Sequence, residues 1–100
     1  MAALPVENFA EFQDVINRSE PTIIYFFDEN GGPGPELEHL LNGAAGVAAF
    51  FADIDQCHIE RDARKLPQTV LYKGGEELGD ADGGDMDMFF ELCERAQSEA

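Results

Sequence analysis

The chain reads as an α/β domain with a central mixed β-sheet of about four strands flanked by about four helices. Two observations predict this. Strand-like apolar runs alternate with segments of helical spacing in the order α-β-α-β-α-β-β-α. Strand–helix–strand connections imply parallel pairing, and the late hairpin adds an antiparallel edge. The run Thr22-Ile23-Ile24-Tyr25-Phe26-Phe27 is almost continuously apolar and β-branched, which is the pattern of a strand covered on both faces. At 100 residues the chain has one domain's length, so residues 1–100 are read as a single unit.

The elements follow in order. Asn8 with Glu11 forms a capping-box pattern. Phe9, Phe12, Val15 and Ile16 fall at helical spacing and predict a first helix from Phe9 to Asn17. Pro21 stops any continuation, and Thr22–Phe27 is the first strand. Asp28 to Pro35 is a Gly/Pro loop. Pro35 suits the first position of a second helix, whose first turn holds Glu36 and Glu38, favourable to the helix dipole. Leu37, Leu40 and Leu41 form its apolar stripe, and Asn42-Gly43 ends it. Val47 to Ile54 is a second strand. Gln56 to Lys65 reads as a short helix with Ile59 and Ala63 on one face. Pro67 precedes a third strand, Thr69 to Tyr72. The turn Lys73-Gly74-Gly75 then opens a weaker edge strand at Glu76 to Leu78. Asp80 to Gly84 reads as loop. A last helix starts near Asp85 and carries Met86, Phe89, Phe90 and Cys93 on one stripe.

Composition narrows the functional classes. An apolar fraction of 44% with eight phenylalanines is enough for one core. No apolar run approaches the ~20 residues that span a bilayer. Met1 to Asn8 has neither a basic n-region nor an apolar h-region, so the expected location is cytoplasmic. Six basic residues face twenty-one acidic ones, a net charge of −15. That field repels nucleic acid and anionic membranes, and it suits a protein or peptide partner with a basic surface or simply gives solubility. Lys65 and Lys73 are the only lysines. Such an acidic, lysine-poor surface also suits a cell of high internal salt.

Four pieces of sequence, in this order and spacing, resemble thioredoxin over nearly the whole length. They are the strand Ile23–Phe27 running into a Gly/Pro loop; Gly31-Gly32-Pro33-Gly34, where that family has Cys-Gly-Pro-Cys; Leu66-Pro67-Gln68-Thr69 through Lys73-Gly74-Gly75, similar to its Ile-Pro-Thr strand and Lys-x-Gly turn; and Gly83-Gly84 before the last helix. The resemblance implies a thioredoxin-like fold with Pro67 as the cis-proline beside the active-site loop. It also implies a redox-inactive member. In the family the first cysteine is a thiolate nucleophile at a helix N-terminus, and both cysteine positions are glycine here, Gly31 and Gly34. The family's loop tryptophan falls on Asn30, its buried aspartate on Tyr25 and its strand lysine near Phe51, so nucleophile, resolving thiol and proton relay are missing together. No catalytic residue, cofactor or metal site is expected. What the resemblance leaves is a groove of Asn30, Gly31, Gly32, Pro33, Gly34, Pro35, Leu66, Pro67, Gly83 and Gly84. In redox members the backbone before the cis-proline pairs with an extended peptide.

Other candidates are weaker. Cys93 lies on the apolar stripe of the last helix, where cysteine acts as a small hydrophobe. Cys57 adjoins His58, and an imidazolium can activate a thiol, but adjacent helical residues do not face each other. Asp80, Asp82 and Glu91 fall at positions 1, 3 and 12 of a calcium-loop pattern, which fails at the sharp turn because Asp85 stands where glycine is required. Pro33 and Pro35 remove two donors from the glycine loop, and Glu36 and Glu38 repel an anion, which disfavours glutathione there. His39 and His58 have no second ligand at metal spacing. The sequence therefore predicts a non-catalytic interaction module: an adaptor, assembly chaperone or complex subunit. The alternatives are a redox or glutathione-linked enzyme using Cys57, or a calcium-binding protein using Asp80–Glu91.

Overall fold

The computed structural model describes residues 3–30, 37, 47–82 and 85–99. Its strands are β1 (Leu4–Pro5), β2 (Thr22–Phe27), β3 (Ala48–Asp53), β4 (Gln68–Lys73) and β5 (Glu76–Asp82). The α-helices among the described residues are α1 (Phe9–Ile16) and α2 (Met86–Ser98), with a single 3₁₀ turn over Ala63–Lys65. The strands form one sheet in the order β1-β3-β2-β4-β5. β2 runs parallel to β3 and antiparallel to β4, and β5 closes the far edge antiparallel to β4.

β2 sits at the centre because its sequence can be buried on both sides. Thr22 to Phe26 are each fully buried, and alternate residues go to opposite faces, as a pleated strand requires. Ile23 and Tyr25 join Ala49, Leu71 and Ala81 under Phe89, Leu92, Cys93 and Ala96 of α2. Ile24 and Phe26 join Ala52, Val70 and Tyr72 under Phe12 of α1, with Val6, Ile54, Cys57 and Ile59 completing that layer. Phe12 sets its ring edge-on to Phe26, centroids 5.8 Å apart, and to Tyr72 at 6.4 Å. Each helix begins on a side-chain cap. Asn8 Oδ1 accepts from the Glu11 amide at 2.9 Å, and Asp85 Oδ1 from the Met88 amide at 3.1 Å.

Four expectations need correction or restriction. The sheet has a fifth strand, β1, which pairs Leu4 and Pro5 with Phe50 and Phe51. The segment Gln56–Lys65 is not a helix. Ile59 N donates to Ile54 O at 3.0 Å, and His58 takes a left-handed conformation with φ 55°, which breaks helical continuity. This lets Cys57 and Ile59, two residues apart, bury in one cluster. Helical geometry returns only at Ala63, where Asp62 Oδ1 accepts from Arg64 N. Asp80 to Gly84 is not wholly loop, because β5 continues through Asp82: Ala81 is buried against α2, and Asp80 and Asp82 find a donor on β4. The expected second helix, Pro35 to Asn42, lies outside the described residues except Leu37, which is helical and packs against the α2-side cluster.

The β4–β5 turn is fixed by glycine. Gly74 and Gly75 have φ of 61° and 84°, the double positive φ of a type I′ hairpin turn. Their amides donate to the carbonyls of Arg18 and Ile16, both at 2.7 Å, so the hairpin tip is bound to the end of α1.

Candidate functional site

The sheet register brings Asn30 and Leu66–Pro67, the described residues of the predicted site, to one end of the sheet. Phe26 pairs with Gln68, and Gln68 pairs with Asp82. The end of β2, the start of β4 and the end of β5 therefore lie at the same end of the sheet. Asn30 is exposed just beyond β2. Leu66 and Pro67 are half-buried at the start of β4, and the bond between them is cis. Gly31, Gly32, Pro33, Gly34, Pro35, Gly83 and Gly84 lie outside the described residues.

What anchors Pro67 was not foreseen from the sequence. Gln68, the next residue, is 3% exposed, and a buried amide must be satisfied on every side. Its Nε2 donates to Asp80 Oδ2 and Asp82 Oδ1, each at 2.9 Å, and its Oε1 accepts from Arg61 Nε at 2.9 Å. Arg61 Nη1 donates to Tyr72 Oη at 3.2 Å and to Glu77 Oε1 at 3.3 Å. The guanidinium lies 4.8 Å from the centroid of the Phe26 ring, an attractive arrangement for a partly desolvated cation. The network ties β4, β5 and the segment before Pro67 together. A glutamine opening the run Thr69-Val70-Leu71-Tyr72 is the sequence signal that could have revealed it.

The charges at this end are unevenly placed. Arg61, Arg64 and Lys65 precede Pro67 and make up half of the chain's six basic residues. Arg61 is held in the network. Arg64 binds Asp62 through Nε–Oδ1 at 3.1 Å and Nη2–Oδ2 at 3.2 Å, which holds the Asp62 carboxyl below its ordinary range. On the β2–β3 side, Asp55 Oδ2 accepts from Glu29 N at 3.3 Å, and Asp53 Oδ1 accepts from Asp55 N at 2.9 Å.

Both cysteines are free and buried. Cys57 Sγ donates to Val6 O at 3.2 Å. Burial pushes its thiol pKa up, and the nearby carboxylates of Asp53, Glu11 and Glu7 push it further. Burial alone raises Cys93 to about 11. Tyr25 is fully buried in the α2-side cluster, its ring centroid 6.0 Å from that of Phe27. Among the described residues no group of three or more His, Cys, Asp or Glu is placed to hold a metal ion. None of the described helices is long and apolar enough to cross a membrane.

No protein-family model matches the sequence, and no curated protein matches it. Solved structures do. The thioredoxin of Malassezia sympodialis aligns with a TM-score of 0.78 over 95% of this chain and 90% of that chain, at 19% identity. Plasmodium falciparum thioredoxin gives 0.75 over 93% and 98% of the two chains at 22% identity. Fasciola hepatica thioredoxin gives 0.72 over 93% and 98% at 21% identity. At this level of identity the likeness is one of fold, and the chain has the thioredoxin fold.

Proposed function

We propose that the chain is a non-catalytic protein-interaction module built on the thioredoxin fold: an adaptor, assembly chaperone or complex subunit. It holds an extended segment of a partner at the sheet end where Asn30 and Leu66–Pro67 lie, with Gly31–Pro35 and Gly83–Gly84 assigned to the same groove by the sequence resemblance. The observation that carries this reading is where the two sulfurs sit. Thiol–disulfide exchange needs an accessible thiolate. Positions 31 and 34 are glycine, and the chain's two thiols are buried with their pKa values raised. Cys57 is held by the Val6 carbonyl among carboxylates, the reverse of the electropositive setting that activates a nucleophilic cysteine. Asp80 and Asp82 lie on a strand and share the Gln68 amide, which likewise does not favour the calcium alternative.

What remains functional in this reading is backbone. The entry to β4 at Leu66–Pro67 is fixed from behind by Gln68 and Arg61, and a preorganised backbone loses little entropy when an extended peptide pairs with it. The net charge of −15 selects a basic partner segment and speeds its encounter.

Affinity isolation from native lysate at two salt concentrations, beside a charge-matched acidic control, tests the groove. One stoichiometric partner is expected to survive moderate salt and to be lost with Pro67→Thr and with Gly32→Glu, while thermal unfolding confirms that both variants fold. Unchanged recovery with both variants would remove the groove assignment. Reduction of insulin by the unmodified protein, abolished by Cys57→Ser, would overturn the non-catalytic reading.

A further inference from the structure

A second surface lies along the outer edge of β5. This strand ends the sheet, so one row of its backbone donors and acceptors points away from β4. It is seven residues long, against two for β1 at the opposite edge. α2 runs beside it and leaves an open groove whose lining includes Gly79, Met88, Glu91, Leu92 and Arg95. The strand backbone lies close against the helix at Gly79, where a Cβ would stand 3.1 Å from Leu92 Cδ1. Met88, 40% exposed, gives the groove an apolar wall. The opposite face of β5 is acidic. Glu77 meets Arg61, while Asp80 and Asp82 meet Gln68, whose amide supplies hydrogen bonds but no charge.

The geometry points to the β5 edge as a docking site for a basic extended segment of a protein partner, added as a sixth strand. Side chains of an added strand alternate between the two faces. One set therefore rests against Met88 and Leu92, and the other stands beside Glu77, Asp80 and Asp82. The partner is a sequence with Lys or Arg at every second position and apolar residues between. Charge selects this occupant over a second copy of the chain. β5 holds four carboxylates and no cation, and self-pairing would set these rows together in molecules that each carry −15, which cross-strand repulsion disfavours. The inference does not depend on the groove at Pro67, and its test is separate.

The test is an NMR titration of the ¹⁵N-labelled protein with a short peptide of alternating lysine and valine. Its controls are a peptide of the same composition with the two residues in blocks, and one alternating glutamate and valine. The alternating basic peptide is expected to give saturable shifts confined to the amides of Glu76–Asp82 and to Met88, Glu91 and Arg95. Met88→Ser, which removes the apolar wall at an exposed helix position without adding charge, is expected to weaken it about tenfold without lowering the melting temperature. Equal affinity for the block peptide would show attraction by charge alone. Shifts centred on Asn30 and Leu66 would move the contact to the Pro67 groove, and the absence of saturation would remove the site. Each of these results overturns the proposal.

Discussion

Arg61 directs its charge inward. Its guanidinium serves Gln68, Tyr72 and Glu77 while covering Phe26, and the side chain is 17% exposed. A lysine has the charge but not the planar fork, so it cannot reach all three partners. Arg61→Lys should cost about 2 kcal/mol, because Gln68 Oε1 is left buried without its donor. Urea unfolding measures this, and a loss below about 0.5 kcal/mol would show that the network contributes little. Titration offers another test at this scale. Burial pushes Tyr72 up to about 12 despite the neighbouring arginine, and pushes Cys93 to about 11. Both groups are favoured in their neutral forms in the folded state. Their contributions are complete at lower pH and are lost as pH rises, from the ordinary 9.0 to about 11 for Cys93 and from 10.0 to about 12 for Tyr72. The urea midpoint should therefore fall steadily above pH 9, and Cys93→Ala should flatten the first part of that fall.

At the scale of elements, the β4–β5 hairpin is held by its turn. Gly75 combines a φ of 84° with a site where an added Cβ would lie 2.7 Å from Asn17 Oδ1. Asn17 could withdraw only by giving up its own bond to Gln13 O. Gly74 has open space around it and faces only the backbone penalty. Gly75→Ala should thus destabilise by about 2–3 kcal/mol and Gly74→Ala by about 1 kcal/mol, read from thermal unfolding of the two variants. Equal losses would mean that Asn17 moves freely. This turn was legible in the sequence, as were α1, β2, β4 and α2, because each carries a periodicity or a glycine pair that decides the backbone. β1 was not legible, since two residues hold no period and Leu4–Pro5 becomes a strand only by pairing with β3. The end of β5 was misread because Asp80-Ala81-Asp82 has loop composition, and partners on β4 and α2 override it. The segment 56–65 was misread because Ile59 and Ala63 mimic helical spacing while His58 turns the chain left-handed. The sequence singled out Pro67 and its neighbours, but it did not show the Gln68–Arg61 network behind them, because an arginine is normally assigned to the surface.

For the molecule as a whole, the dominant fact is charge of one sign. With twenty-one acidic and six basic residues, folding concentrates repulsion that the expanded chain relieves. The folded chain has a radius of gyration of 11.9 Å, while screening acts over about 10 Å at 0.1 M salt and about 3 Å at 1 M. Potassium chloride raised from about 10 mM to 1 M should stabilise the fold by roughly 1–2 kcal/mol, or about 5–10 °C in melting temperature. A flat melting temperature across that range would show that the acidic residues are too dispersed to strain the fold. The two sulfurs give the layered architecture one more use. Cys57 lies in the α1 layer and Cys93 in the α2 layer, on opposite sides of one sheet. A thiol reagent reaches either only after its own layer lifts, so each cysteine is an internal clock for one half of the molecule. Labelling in native buffer, followed by peptide mass, would time the two openings independently. Matching rates would mean that the sandwich comes apart as a single cooperative body, and unequal rates would identify the helix that leaves first.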